Sequence, residues 1–298
     1  MEIRVLKYFL AIAREQNISV AANYLHVTQP TLSRQIKDLE DELGQKLFIR
    51  GSHNVTLTEE GMIFRKRAEQ IIDMVTKTEE EFSDMGSNII GDIYIGAAES
   101  YNMKYIAKVI KEIQENYPDI HYHLYSGNEE DVSELLDKGL IDFGILVDPA
   151  DITKYDYLPL PESDIWGLIM KNDSPLAKKE HITKTDLLNL PLICSRQSLK
   201  SDNKHNDIIN WFGKDFENIN VVATFDLTYN ASILVNEDIG YAIAFDNLVN
   251  RNDYTNLCFK PLNPEVKSKL NIVWKKQMIF SKPAQLLLNT LQKNFKGL

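Results

Sequence analysis

Val27–Gly44 reads VTQPTLSRQIKDLEDELG, a segment that splits its charge: Arg34 and Lys37 come first, then Asp38, Glu40, Asp41 and Glu42. At 100° per residue, Leu32, Ile36, Leu39 and Leu43 share one stripe, which predicts a helix buried on that side. Pro30, Arg34, Lys37, Asp38 and Asp41 lie opposite, with Thr31 and Ser33 on the flanks. Thr28 is placed to cap the N-terminus, and Pro30 is tolerated because it sits in the first turn. The outer face is therefore cationic for two turns and acidic after them. A helix in a DNA major groove contacts bases mainly through its N-terminal residues. The acids lie roughly 6 Å or more further along the axis, at about 1.5 Å per residue. Taken alone, the pattern also fits an ordinary amphipathic surface helix.

The flanking segments narrow the choice. Ile3, Leu6, Phe9, Leu10 and Ala13 form a helical stripe upstream. In NISVAANYLHVTQP, Asn17 or Ser19 can cap a short second helix reaching about Leu25, and His26–Thr28 make a turn. The small Ala21 and Ala22 let two helices cross closely, as in a helix-turn-helix. Downstream, KLFIRGSHNVTLT predicts two short strands around Gly51–Asn54, a hairpin wing with Arg50 and His53 as candidates for phosphate contact. Arg50 as a merely solvated side chain is the plainer alternative.

From Thr58 a long helix is expected, with Glu59 and Glu60 in the first turn where the dipole favours acids. Phe64, Ala68, Ile71, Val75, Thr78 and Phe82 repeat at spacings of four and three, the seam of a coiled coil. That spacing predicts a homodimer, which would double the base contacts a single helix-turn-helix can make. Gly86-Ser87-Asn88 reads as a linker.

Residues 1–61 resemble the DNA-binding domain of LysR-type transcriptional regulators. The matching residues are Phe9, Ala21-Ala22, Leu25, TQPTLSRQI, Leu39-Glu40, Leu43-Gly44, LFIR and LTEEG. The wing GSHNV departs from the family in being poorer in Arg and Lys. The resemblance extends over the full length and implies an all-α winged helix-turn-helix with a long coiled-coil linker helix. It further implies a C-terminal α/β domain of two periplasmic-binding-protein-like lobes, dimers pairing into a homotetramer, bent double-stranded promoter DNA, and a small effector that shifts the lobes. On this reading Thr28, Gln29, Pro30, Thr31, Ser33, Arg34, Lys37, Arg50 and His53 face DNA. The expected divisions are 1–58 for DNA binding, 59–90 for dimerisation and hinge, and 91–298 for the effector. Lobe I would span about 91–161 and 267–298, and lobe II about 162–266.

Composition agrees with this organisation. With 44% hydrophobic and 26% charged residues the chain reads as a soluble globular protein. It has no apolar run of the roughly 18 residues a membrane span needs and no signal-peptide pattern. A cytoplasmic location is expected, with Cys194 and Cys258 reduced. One branch of the family senses peroxide, so a redox-sensing factor is one alternative and a solute-binding module another. The net charge of −10 argues against nonspecific nucleic-acid binding by the whole molecule. The excess, however, sits mostly in residues 91–298, with 22 basic and 29 acidic side chains, whereas residues 1–37 hold five basic and two acidic.

The second domain alternates strand and helix, with parallel pairing expected: DIYIGAA, a helix over Met103–Glu115, DIHYHLYS, a helix over Val132–Lys138, then IDFGILV. DIWGLIM, LPLICS, INVVATF, a helix near Tyr229–Val235 and YAIAF form a second run, and KLNIVWKK with a final helix returns to the first lobe. Ligands in such sheets gather beyond strand ends and between lobes. That nominates Ser100, Tyr101, Asn128, Ser195, Arg196, Gln197, Asp226 and Phe245 for the effector. An anionic effector follows if Ser100, at a helix N-terminus, and Arg196 both take part. Alternatively Ser100 only caps a helix and Arg196 pairs with an acid. No enzyme motif, cofactor motif or nucleotide loop is present. His121 and His123 share a strand face, but no third metal ligand is placed by the sequence.

Overall fold

Two side chains open the helices of the N-terminal unit. The carboxamide oxygen of Asn17 accepts the amides of Ser19 and Val20, and Thr28 Oγ1 accepts the amide of Thr31. These caps start α2 (Ile18–Tyr24) and α3 (Gln29–Leu43), which follow α1 (Ile3–Glu15). His26, in left-handed backbone, turns the chain between them. Phe9 and Ile12 of α1, Ala21 and Ala22 of α2, and Leu32, Ile36 and Leu39 of α3 close one core. The computed structural model describes residues 1–51, 54–83, 89–148, 150, 152–199, 206–249 and 256–295, with backbone only at 50, 77 and 80–83.

Two expectations for this unit change. Leu43, placed in the buried stripe, is exposed, and Glu40, counted with the outer acids, is buried. Gly44 explains the first: in left-handed backbone it ends α3 at this point, so Leu43 has no following turn to pack under. Glu40 is explained by the wing, β1 (Phe48–Arg50) paired antiparallel to β2 (Val55–Leu57). Its carboxylate accepts the amides of Leu47 at 2.9 Å and Phe48 at 3.2 Å, and Lys46 at 2.9 Å. Burial pushes its pKa up, but those hydrogen bonds outweigh it and leave the carboxyl below its ordinary value.

Helix α4 (Glu59–Ser83) then packs back on α1. Thr58 Oγ1 accepts the Gly61 amide, and a Cβ at Gly61 would overlap the Leu47 carbonyl, so glycine lets the helix approach the wing. The proposed seam divides here. Phe64 meets Phe9 edge-on at 4.8 Å and Ala68 is fully buried in its own domain, while Ile63, Ile71 and Met74 stay exposed. Two faces thus share one helix: the one carrying Phe64 and Ala68 closes the unit, and the one carrying Ile63 and Met74 is open. The Phe82 side chain and the Gly86-Ser87-Asn88 linker lie outside what is described.

The chain divides into compact units Met1–Met85 and Gly86–Leu298. In the second, β3 (Gly91–Ala97), α5 (Met103–Asn116), β4 (Ile120–Ser126), α6 (Glu129–Asp137), β5 (Phe143–Val147) and β6 (Tyr155–Pro159) come first. Then follow β7 (Asp164–Lys171), α7 (Lys184–Leu187), β8 (Pro191–Ser195), α8 (Asp207–Phe212), β9 (Asn220–Phe225), α9 (Thr228–Asn236), β10 (Tyr241–Phe245) and β11 (Leu257–Pro261). The short β12 (Lys267–Ser268), β13 (Leu270–Lys275) and α10 (Lys282–Phe295) complete it. Two sheets result, in the orders β4-β3-β5-β13-β6 and β11-β7-β10-β8-β9, with β12 beside β7.

Parallel pairing holds for β4-β3-β5 and for β10-β8-β9. Elsewhere the sheets are mixed. β13 runs antiparallel to β5 and β6, and β7 antiparallel to β10 and β11, because these strands carry the chain from one lobe to the other and back. Helix α6 begins three residues earlier than predicted, since Asn128 caps it by accepting the amides of Glu130 and Asp131. The apolar faces of α5 and α10 cover the first sheet through Ile106, Val109, Leu287 and Leu291. No helix among the described residues is long and apolar enough to cross a membrane.

Candidate nucleic-acid interface and interlobe cleft

The start of α3 presents Thr28, Gln29, Pro30, Thr31, Arg34 and Lys37 to solvent, and Ser33 is half-buried beside them. Burial of Leu32 and Ile36 one step away fixes this orientation. Thr28 Oγ1 lies 2.8 Å from Thr31 Oγ1, so the two hydroxyls are held together at the helix end, where free amides and the dipole favour anions. Four other cations of the unit are in ion pairs: Arg4 with Glu2, Arg14 with Glu15, Lys46 with Glu40 and Arg65 with Glu69. Arg34 and Lys37 make no ion pair with a described residue, so their charge is unspent. The Arg50 side chain and His53 lie outside the described residues.

In the second unit a cavity of about 110 Å³ lies between the two sheets. Asn128, Ser195, Gln197, Asp226 and Phe245 line it, as predicted from strand ends. Three nominated residues do not. Arg196 is exposed and paired with Asp226 at 3.1 Å, the plainer of its two readings. Tyr101 is exposed beneath Lys104. Ser100 belongs to a buried cluster at the lobe crossing: its Oγ accepts the Asn102 amide at 2.9 Å, and Asn102 Nδ2 donates to Asp164 Oδ1 at 2.8 Å. The protein's own carboxylate thus occupies the helix start where an anion was expected. Burial pushes Asp164 up to about 6, Ser100 lowers it, and Asp246 raises it.

Sequence reasoning missed Glu99, Glu129, Asp148, Asp207, Thr228 and Ser268. Glu99, from the first lobe, accepts the Thr228 amide at the start of α9, and Glu129 accepts Gln197 Nε2 at 3.3 Å. On the second lobe Trp166 Nε1 donates to Ser268 Oγ at 2.9 Å, and Ser268 Oγ donates to Asp207 at 2.5 Å. Asp148 accepts Asn271 Nδ2 at 2.8 Å, and burial raises its pKa. Glu99 is one residue from the nominated Ser100. The others follow strands or open helices whose partners are far away in sequence.

Comparison with known proteins decides what such a molecule is. Residues 3–62 match the bacterial regulatory helix-turn-helix protein, lysR family, and residues 87–296 match the LysR substrate binding domain. The chain belongs to the LysR family. It is a DNA-binding transcriptional regulator with a C-terminal domain for effectors. Among its relatives is the HTH-type transcriptional regulator BsdA of Bacillus subtilis (strain 168), 27% identical over 97% of this chain and 99% of BsdA. The hydrogen peroxide-inducible genes activator of Pectobacterium carotovorum subsp. carotovorum is 30% identical over 63% of this chain and 62% of its own length. Among solved structures, full-length CbnR complexed with its target DNA has a TM-score of 0.73 at 19% identity, covering 98% of this chain and 99% of CbnR. That likeness is one of fold.

The cysteines of this LysR regulator are poorly placed for peroxide chemistry. Cys194 is fully buried, and burial pushes its thiol up to about 12, whereas reactive cysteines are exposed thiolates. Cys258 sits on β11, three strand spacings from β8. At about 4.8 Å per spacing that is about 14 Å, twice the Cα separation a disulfide tolerates.

Proposed function

We propose that this LysR regulator reads promoter DNA with the first two turns of α3. Arg34 and Thr31 are assigned to base edges, Lys37, Thr28 and Gln29 to phosphates, and Arg50 and His53 of the wing to the flanking backbone. The observation that carries the reading is the exposed Arg34–Lys37 pair, without an ion pair among the described residues, on a capped helix end. Screening over about 10 Å at 0.1 M salt lets that tip act although the chain is acidic overall.

The regulator works by binding rather than catalysis, in the cytoplasm, as a homodimer formed through α4. The open face of Ile63, Ile71 and Met74 is the contact, in place of the Phe64–Ala68 face. Two dimers make a tetramer that bends the duplex. A small effector binds the cavity between the lobes, and it must favour one lobe arrangement over another for anything downstream to change. Footprinting on the protein's own upstream region tests DNA recognition; protection no stronger than on random duplex would end it. Sedimentation of Ile63→Glu tests the dimer: a shift to monomer is expected, and an unchanged coefficient would move the contact off this face.

A further inference from the structure

The charge lining the cavity points away from an anionic effector. Glu99, Glu129 and Asp148 reach it from the first lobe and Asp207 and Asp226 from the second, and no Lys or Arg among the described residues lines it. Asp226 has a cation in contact, Arg196. Lys269 acts on Asp148 through space alone, and the hydrogen-bond partners of Asp148 and Asp207 are neutral. Carboxylates gathered in an enclosed space are costly unless an opposite charge joins them. A second feature is independent of the acids. Thr228 is 95% buried, lines the cavity, and its hydroxyl has no partner among the described residues. A hydroxyl at the cavity wall with no protein partner can donate to or accept from a ligand.

We propose that the effector carries an ammonium or guanidinium group seated between Asp148 of one lobe and Asp207 of the other, with the Thr228 hydroxyl completing its recognition. This deepens the reading of the cavity as the effector site and rests on it. An organic cation fits better than a metal ion, because no three acidic, histidine or cysteine side chains among the described residues converge as metal ligands. The cation also couples binding to lobe arrangement. Asp148 and Asp207 repel each other across the cleft, and a positive group between them reverses that force. The lobe arrangement that brings both carboxylates to the ligand is the one it stabilises.

The test uses the full-length protein and two sets of probes at matched ionic strength: putrescine, agmatine and methylamine, against acetate, succinate and benzoate. Melting temperature and calorimetric titration are the readouts. At least one amine is expected to bind saturably and raise the melting temperature, with no saturable response to the carboxylates. Asp148→Asn, which keeps an acceptor for Asn271, is expected to weaken that amine at least tenfold, and Asp207→Asn similarly. Thr228→Val, nearly the same shape without the hydroxyl, is expected to weaken it several-fold, with circular dichroism confirming that each variant folds. Saturable binding of a carboxylate in place of the amines overturns the cationic class and leaves the effector site standing. Amine binding that all three variants retain overturns the assignment to these residues. No binding from either set removes both the cation and the effector reading.

Discussion

The recognition end of α3 and the interlobe cavity are opposites in construction. The first is assembled from contiguous residues, Thr28 to Lys37, held by a cap and a buried stripe, and it exposes positive charge to solvent. The second draws its lining from residues as distant as Ala98 and Ser268, and it encloses negative charge. Net charge predicts neither. What matters in each place is whether a charge is answered: Arg34 and Lys37 are left open by their neighbours, and Asp148 and Asp207 have only neutral partners. Variants in one region should leave the other intact, and that expectation can be broken.

The largest effect is expected at Glu40, which ties α3 to the wing. Glu40→Ala leaves the buried amides of Leu47 and Phe48 without acceptors, each a loss of about 1–3 kcal/mol. Hydrogen exchange should show protection at those two amides falling at least a hundredfold, with β8 and β10 unchanged. The sign with pH follows from the lowered pKa. The carboxylate's contribution is present above its ordinary 4.5 and is lost as pH falls through the lower folded value. Protection of the wing should therefore drop on acidification in the wild type and stay flat in the variant. Equal loss in β8 and β10 would show that the two regions are not separable.

Asp164 gives the next effect, of opposite sign. Its folded pKa of about 6 stands above the ordinary 3.8, so its stabilising proton is fully held below 3.8 and lost as pH rises through about 6. At pH 8 the ionised group costs about 3 kcal/mol, by about 1.4 kcal/mol per unit. Asp164→Asn keeps an acceptor for Asn102 and removes the buried charge beside Asp246. The effector domain should melt higher than wild type at pH 8, with the gain vanishing near pH 4. A gain that does not depend on pH would trace the effect to packing.

These two acids also show what could be read from the sequence. Helix-turn-helix, wing and long helix were legible because caps, stripes and turns act over a few residues: Asn17, Thr28 and Gly44 each do locally what their chemistry dictates. Glu40 was not legible, since it stands among acids read as outward, at the edge of the buried stripe, and only the returning wing buries it. In the second unit the strands' alternation showed, and so did Ser195, Gln197 and Phe245 at their ends. β6 and β11, and the mixed pairing around β7 and β13, depend on which strands cross between lobes, and no local pattern encodes that. Arg196 was nominated for its chemistry, but its role depends on Asp226, a partner the fold supplies.

Arg34→Ala is expected to weaken binding to a footprinted promoter fragment tenfold to a hundredfold, about 1–3 kcal/mol, and to relax the preference at one base position. The effector domain's melting temperature should not change. Loss of affinity that is uniform across every sequence would reassign Arg34 to phosphate.

The smallest effect is the most discriminating for the idea that unanswered charge, not charge as such, marks the DNA face. Lys37 and Lys46 are both exposed lysines of the N-terminal unit, but Lys46 is tied to Glu40 at 2.9 Å and Lys37 has no such partner. A lysine that contacts phosphate releases about one counterion's worth of salt dependence when it is removed. Lys37→Ala should therefore flatten the slope of log affinity against log salt by about one, with little change in stability. Lys46→Ala should leave the slope nearly unaltered and instead lower the protection of the Leu47 and Phe48 amides, because it takes away one support of the Glu40 carboxylate. If the two slopes change equally, the pairing seen around Glu40 does not decide which cations meet DNA, and the positive sign of the N-terminal unit as a whole does.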